Sequence, residues 1–301
     1  MKIYPKVGVP AITAVAVAGI AFAAVSTHSK ESARESEGRA PQKIQAFSEK
    51  LPAPQIGDEG NPATWKLPIE FYFPGRSGTL KVSNARDIMI DACMANAGYE
   101  AWQPAPDLPS IDGTSFTDRR YGIHNPDLTS QRGYHPDLAL QDSYDEAMRI
   151  GAVDKSGADP AALRVCVQEA DGQVPEIEVD AIVQRIDNDS FVASLKDDSV
   201  IKVFGDWSAC MKRAGFTYEN PLEALNDSRF GDSRTVTNLE ISTATADLKC
   251  RNQHKVTRTW FDAEAKIQQL KISEHLTALN AAKSRSASAV AKASAFLAQN
   301  T

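Results

Sequence analysis

The sequence predicts a mainly α-helical, exported protein: two duplicated, disulfide-stapled helical hairpins with a long C-terminal helix and a disordered N-terminal stalk. Three observations predict it. A nonapeptide recurs, as IDACMANAG at 90–98 and WSACMKRAG at 207–215, and holds two of only four cysteines. From about Asn238 to Thr301 there is neither Pro nor Gly. At the N-terminus, Lys2 and Lys6 precede an uncharged apolar run from Val7 to Val25.

The composition, 42% apolar and 24% charged, is that of a chain with a packed core. A net charge of −6 argues against nucleic acid as a partner, because phosphate binding needs a basic footprint.

Residues 1–25 read as a secretory signal, with a small-residue triplet Ala21-Phe22-Ala23 before the cleavage point, or as a retained membrane anchor with its lysines inside. Any membrane contact is expected only through residues 7–25, and only if they are uncleaved. Either way the rest of the chain is expected outside the cytoplasm, secreted or tethered. There an even number of cysteines reads as disulfides rather than thiols. No Cys-x-x-Cys pair is present, so the spacing of a zinc or thioredoxin-like site is missing.

Residues 26–63 are polar, mixed in charge and interrupted by Pro and Gly, a composition that buries too little apolar area to order itself. They read as a flexible linker. The folded part, 64–301, divides into a first hairpin with a long loop (64–196) and a second hairpin with the long helix (197–301).

In WKLPIEFYFPG, Trp65, Leu67, Ile69, Phe71 and Phe73 alternate with Lys66, Pro68, Glu70 and Tyr72, which predicts a half-buried edge strand. Ile90, Cys93, Met94 and Ala97 form one helical stripe, and Gly98 stands where a left-handed C-cap belongs. Val200, Val203, Phe204, Trp207, Cys210, Met211 and Ala214 repeat that stripe, capped by Asp197 or Asp198 and closed by Gly215. The echo continues: RRYG ends at Gly122 and SRFG at Gly231. Then PAALRVC, opened by Asp159 and Pro160, places Cys166 on a helix, and TADLKC does the same for Cys250. Ile182, Val183, Ile186, Val192 and Leu195 keep helical spacing between the halves. From about Asn238 one long helix is expected, with its weakest point at Ser284–Ser288.

Four cysteines allow three pairings. The duplicated layout favours Cys93–Cys166 and Cys210–Cys250, one staple per hairpin; the alternative is four buried thiols.

These pieces resemble a family of uncharacterised exported proteins of actinobacteria. The likeness is carried by LPIEFYF, DACMANAGY, RRYGIHNPDLTSQRGYHPD, WSACMKRAGFTYENPLEA and TADLKCRNQHKVTRTWFDAEAKIQ, within Leu67 to about Leu270. Many relatives are similar to lipoproteins with a cysteine after the signal, which this chain lacks. The resemblance implies an envelope location and brings no catalytic residues.

The densest chemistry lies in the loop 119–137, with Arg119, Arg120, Tyr121, His124, Asp127, Arg132, Tyr134, His135 and Asp137. Two His and two Asp so close could ligate a metal or carry acid–base work. Yet His-Asn-Pro-Asp and His-Pro-Asp also make ordinary turns, and Arg and Tyr pin loops by hydrogen bonds. The His residues lack the i, i+4 spacing of a zinc helix. No metal or cofactor is therefore expected; Arg119, Arg120, Tyr121, His124, Asp127, Tyr134, His135 and Asp137 stand as candidate binding residues. DNDSFVASLKDD lacks the central Gly and final Glu of a calcium loop and reads as solvated surface. His254 and His275 are expected to be exposed. The function expected is a non-enzymatic envelope protein that binds an envelope protein or cell-wall component; the alternative is a hydrolase of cell-wall or peptide material acting through 119–137.

Overall fold

The computed structural model describes residues 51–300 except 112. The expected signal or anchor (1–25) and residues 26–50 of the expected linker lie outside the described residues. Among the described residues the chain forms nine α-helices and no strand: α1 (Arg76–Asn96), α2 (Pro126–Arg132), α3 (Leu138–Gly151), α4 (Pro160–Gln173), α5 (Ala181–Ser194), α6 (Asp198–Arg213), α7 (Pro221–Leu225), α8 (Asn238–His254) and α9 (Val256–Asn300). None of these helices is long and apolar enough to cross a membrane.

Two disulfides staple the fold, Cys93–Cys166 between α1 and α4 and Cys210–Cys250 between α6 and α8, with α-carbons 5.6 and 5.8 Å apart. Both bonds fit an oxidising, extracytoplasmic compartment.

The repeated nonapeptide has one local cause. In each copy the helix stops at an Ala C-cap, and a Gly with positive φ follows: Gly98 at 91° and Gly215 at 93°. The Gly98 N–H then bonds the Ala95 carbonyl and the Tyr99 N–H the Met94 carbonyl; Gly215 with Lys212 and Phe216 with Met211 repeat this. These paired bonds satisfy the last helical carbonyls, and the aromatic after the glycine packs near the same core as the buried methionine. Ala97 and Ala214, assigned by periodicity to the apolar stripes, are instead exposed, because the helix has ended there. Cys93 is half-buried, whereas Cys166, Cys210 and Cys250 are buried. The likeness of RRYG and SRFG does not extend to conformation. Gly122 has φ 105°, while Gly231 is right-handed at −75°.

The expected edge strand is not formed. Pro68–Tyr72 is a 3-10 helix in which the Glu70 side chain accepts the Leu67 N–H and the Ile69 N–H bonds Gln268. Side chains three apart eclipse in this geometry. Ile69 and Tyr72 therefore enter the core together, and Phe71 is 54% exposed. Nor is the expected linker unstructured to residue 63. Gln55 and Lys66 exchange backbone hydrogen bonds, Leu51 and Ile56 pack on the core, and Asn61 caps a short turn at Pro62–Thr64.

The C-terminal region is two helices rather than one. Lys255 adopts the left-handed conformation (φ 54°) and ends α8, so that Val256, Trp260 and Phe261 turn into the core. Within α9 the non-helical residue is His275 (φ −125°), not the stretch 284–288. Buried on α9 are Trp260, Glu264, Gln268 and Ile272, an i+4 row, followed by Leu279, Ala282, Ala289 and Ala293; Leu270 faces solvent. On α5 Val183 and Ile186 are buried, half-buried Phe191 packs against Trp260, and Val192 is exposed.

The expected boundary at 196/197 does not separate two cores. Val183 and Ile186 of α5 share one cluster with Trp207 of α6 and Trp260 of α9. Helix α9 packs on α1, α5 and α6, so one helix closes both hairpins.

Candidate functional site

Residues 119–137, which include α2, are held against α8 and α9, and most of their polar side chains have structural partners, while Tyr134 Oη and His135 Nε2 are buried without a hydrogen-bond partner. Arg119 reaches across the loop to the carbonyls of Tyr134 and His135. His124 Nε2 lies 2.5 Å from Asp118, whose second oxygen accepts the Thr114 N–H and hydroxyl. Burial acts to raise the Asp118 carboxyl, but the Thr114 and His124 bonds outweigh it and hold it below the usual range. Asp137 caps α3 by accepting the Ala139 and Leu140 N–H groups. Asn125 caps α2, and Asp127 is exposed in its first turn, where a carboxylate suits the helix dipole. Arg132 Nε donates to the Pro136 carbonyl.

His135 and Tyr134 face the start of α8. The Tyr134 N–H donates to Glu240 Oε1 (2.9 Å), and His135 Nε2 is 3.4 Å from that oxygen. Gly133 is required here. Its φ is 57°, and a β-carbon would meet the Glu240 carboxylate at 2.5 Å. The Tyr134 ring stacks on Phe230, and burial with the Asp247 charge pushes its hydroxyl well up.

Arg120 and Tyr121 point into the core. The Arg120 guanidinium bonds Glu264 (2.5 and 3.1 Å) and Asp187 (2.7 Å), and Tyr121 Oη donates to Glu264 (2.7 Å). Rings of Phe116 and Phe191 lie 4.7 and 4.9 Å from the guanidinium carbon. Side-chain exposures are 12% for Arg120, 13% for Asp187 and 0% for Glu264. Burial opposes the Arg120 charge, yet Glu264 and Asp187 hold its pKa above the ordinary value. Burial lifts Asp187 to about 6 against the pull of Arg120, and Glu70 to about 7 against its bond from Leu67. Asp187 and Ser190, expected on a solvated surface, are thus inside.

A second buried network adjoins the first. Arg251 Nε donates to Asp247 (2.6 Å), Trp207 Nε1 donates to the same oxygen (2.7 Å), and Arg251 Nη1 bonds the Tyr121 carbonyl. These partners were not among the predicted residues. Their signal in the sequence is polar residues on core rows: Glu264 and Gln268 continue from Trp260, and Asp247 sits four before Arg251.

The predicted residues therefore do not converge on one reaction centre. Arg120 and Tyr121 meet at Glu264, Arg119 and Tyr134 line one cleft, and His124, His135, Asp127 and Asp137 go separate ways. The cleft, of about 290 Å³, is lined by Ile111, Arg119, Gly122, Tyr134, Pro136 and Leu225. Its volume is near the lower end of small-molecule sites. Among the described residues no group of three His, Cys, Asp or Glu side chains is placed to hold a metal ion. His275 is exposed, whereas His254 is half-buried.

Comparison of the chain with protein-family models, curated proteins and solved structures finds no match.

Proposed function

We propose that this is a non-enzymatic protein of the extracytoplasmic cell envelope, whose stapled helical body binds an envelope protein or cell-wall component. The observation that carries the reading is the divergence of the 119–137 side chains. His124 is engaged by Asp118, His135 lies beside Glu240, and Asp137 is spent on a helix cap. A general acid and base need to reach one substrate from one cleft, and the cleft beside Arg119 and Tyr134 has no histidine in its lining. On this reading, that cleft is where a small group of the partner would seat. The two disulfides and the resemblance to exported actinobacterial proteins support the location.

The test combines location, binding and activity. Cell fractionation should find the full chain in the membrane or the medium; a cytoplasmic pool as the major form overturns the placement. His124→Ala and His135→Ala should leave sedimentation with purified cell wall unchanged while costing about 1–3 kcal/mol of stability, because each side chain is largely buried beside a carboxylate that loses its neighbour. Hydrolysis of cell-wall or peptide substrates by the wild type, lost in either variant with folding intact, would establish the hydrolase instead.

A further inference from the structure

Two helix ends meet at the second staple and bring uncompensated positive charge together. The Trp207–Asp247 hydrogen bond and the Cys210–Cys250 bond advance together along α6 and α8, so the C-terminal ends of these helices, at Arg213 and His254, lie side by side. The stretches 202–215 and 247–258 carry seven Lys and Arg against two acids, in a chain whose net charge is −6. Both acids are engaged, Asp206 by Lys202 and Asp247 by Arg251, and Arg258 is held by Glu59 and Asp262. That leaves Lys212, Arg213, Lys249 and Lys255. All four are exposed, and none makes an ion pair or a side-chain hydrogen bond among the described residues. The Cys210 and Cys250 α-carbons are 5.8 Å apart. With ordinary backbone geometry, this keeps the α-carbons of Lys212, Arg213 and Lys249 within about 15 Å of one another, and that of Lys255 within about 20 Å of them. Helix dipoles favour cations in a last turn, which accounts for Lys212 and Arg213 on α6. It does not account for Lys249, more than one turn before the end of α8.

We infer that this staple-braced surface binds a linear envelope polymer with repeating phosphodiesters. Lys and Arg are point-charge and forked donors for phosphate, and on flexible stems they can follow successive anions along a chain. A single free phosphate would meet only one or two of charges spread this far apart. A membrane surface is the poorer fit, because interfacial binding pairs cations with exposed apolar side chains, and no large apolar residue of 202–215 or 247–258 is exposed. The inference deepens the partner-binding reading above, and rests on it in choosing an envelope polymer over nucleic acid.

The test is calorimetric titration of the full chain, disulfides intact, with long-chain inorganic polyphosphate. The wild type should bind, and its affinity should fall about fiftyfold between about 50 and 200 mM salt, since counterion release at about four contacts gives a log–log slope near −3. Lys212→Gln/Arg213→Gln/Lys249→Gln/Lys255→Gln, which leaves the staple and the core untouched, should weaken binding about tenfold or more and flatten the salt dependence. Arg76→Gln/Lys81→Gln/Lys155→Gln/Lys292→Gln removes the same charge from exposed positions elsewhere and should cost about twofold or less. Equal losses in the two variants, or no binding by the wild type, overturn the inference. Tighter binding to vesicles of about 30% phosphatidylglycerol than to polyphosphate would give the surface to a membrane and overturn the polymer. Sedimentation with purified cell wall keeps the two readings apart. A patch variant that sediments like the wild type refutes this surface alone, whereas a wild type that does not sediment tells against the partner-binding reading itself.

Discussion

Replacing Arg120 with Met probes the centre of the fold directly. Methionine retains much of the side-chain length and apolar stem but removes the charge, the bonds to Glu264 and Asp187, and the stacking between Phe116 and Phe191. Glu264, with 0% side-chain exposure, would keep only Tyr121 Oη and Gln268 Nε2 as donors. Breaking a buried pair by removing one partner costs about 3–5 kcal/mol, since the remaining charge is uncompensated. The lost ring contacts add about 1 kcal/mol, partly offset by packing of the methionine. The sum is a large share of the stability of an ordinary domain, about 5–15 kcal/mol. Urea unfolding followed by Trp fluorescence should show a lower midpoint with little change in slope. Arg120→Met/Glu264→Gln should recover at least about 2 kcal/mol, because no buried charge is stranded at Glu264. A cost under about 1 kcal/mol, or a double variant no better than the single one, would refute this account.

Two further outcomes follow from the staples and their caps. Opening either disulfide by a double Cys→Ser change should lower stability by about 4 kcal/mol in the loop-entropy model, with sequence separations of 73 and 40 giving similar values. Native protein should yield no alkylatable thiol before reduction, and a reactive pair would contradict the bonds. Gly98→Ala and Gly215→Ala meet no neighbour within 4 Å, so thermal unfolding should show only the left-handed penalty, about 1 kcal/mol each. Gly122→Ala would put its β-carbon 2.6 Å from the Arg251 guanidinium and should cost about 1–3 kcal/mol more; equal losses at 98 and 122 would tell against the close approach.

What could be read from the sequence was local. The Cys-Met-x-x-Ala-Gly stretch states its own structure within six residues, because the glycine, the buried methionine and the carbonyls they serve belong to one helical turn. Asp159 and Pro160 likewise announce α4, and Asp197 announces α6. The WKLPIEFYFPG strand was misread because a two-residue alternation does not distinguish a strand from a 3-10 turn that buries Ile69 and Tyr72. The end of α8 was invisible for a related reason. Lysine is a good helix former, and nothing at Lys255 signals a left-handed residue except the tertiary demand that Val256 and Trp260 face inward.

The loop 119–137 was legible as a concentration of polar chemistry but not as to its use. A loop pressed against helices must find partners for its backbone groups, since a buried N–H or C=O without one is costly. Arg251 serves the Tyr121 carbonyl, Arg119 those of Tyr134 and His135, and Glu240 the Tyr134 N–H. Those needs demand Arg, Glu and Tyr, the same residue types an active site uses, so composition alone cannot separate the two. The partners decide it, and they lie far away in sequence: Arg120 meets Glu264 across 144 residues, Tyr121 meets Arg251 across 130, and Tyr134 meets Glu240 across 106. On α8 and α9 those partners occupy buried rows, where a charged residue looks like a lapse in an apolar pattern until the loop supplies its counterpart. The polar seam therefore joins the two hairpins: the first half supplies Arg120, Tyr121 and backbone amides and carbonyls, and helices of the second half supply Arg251 with the carboxylates of Glu240 and Glu264.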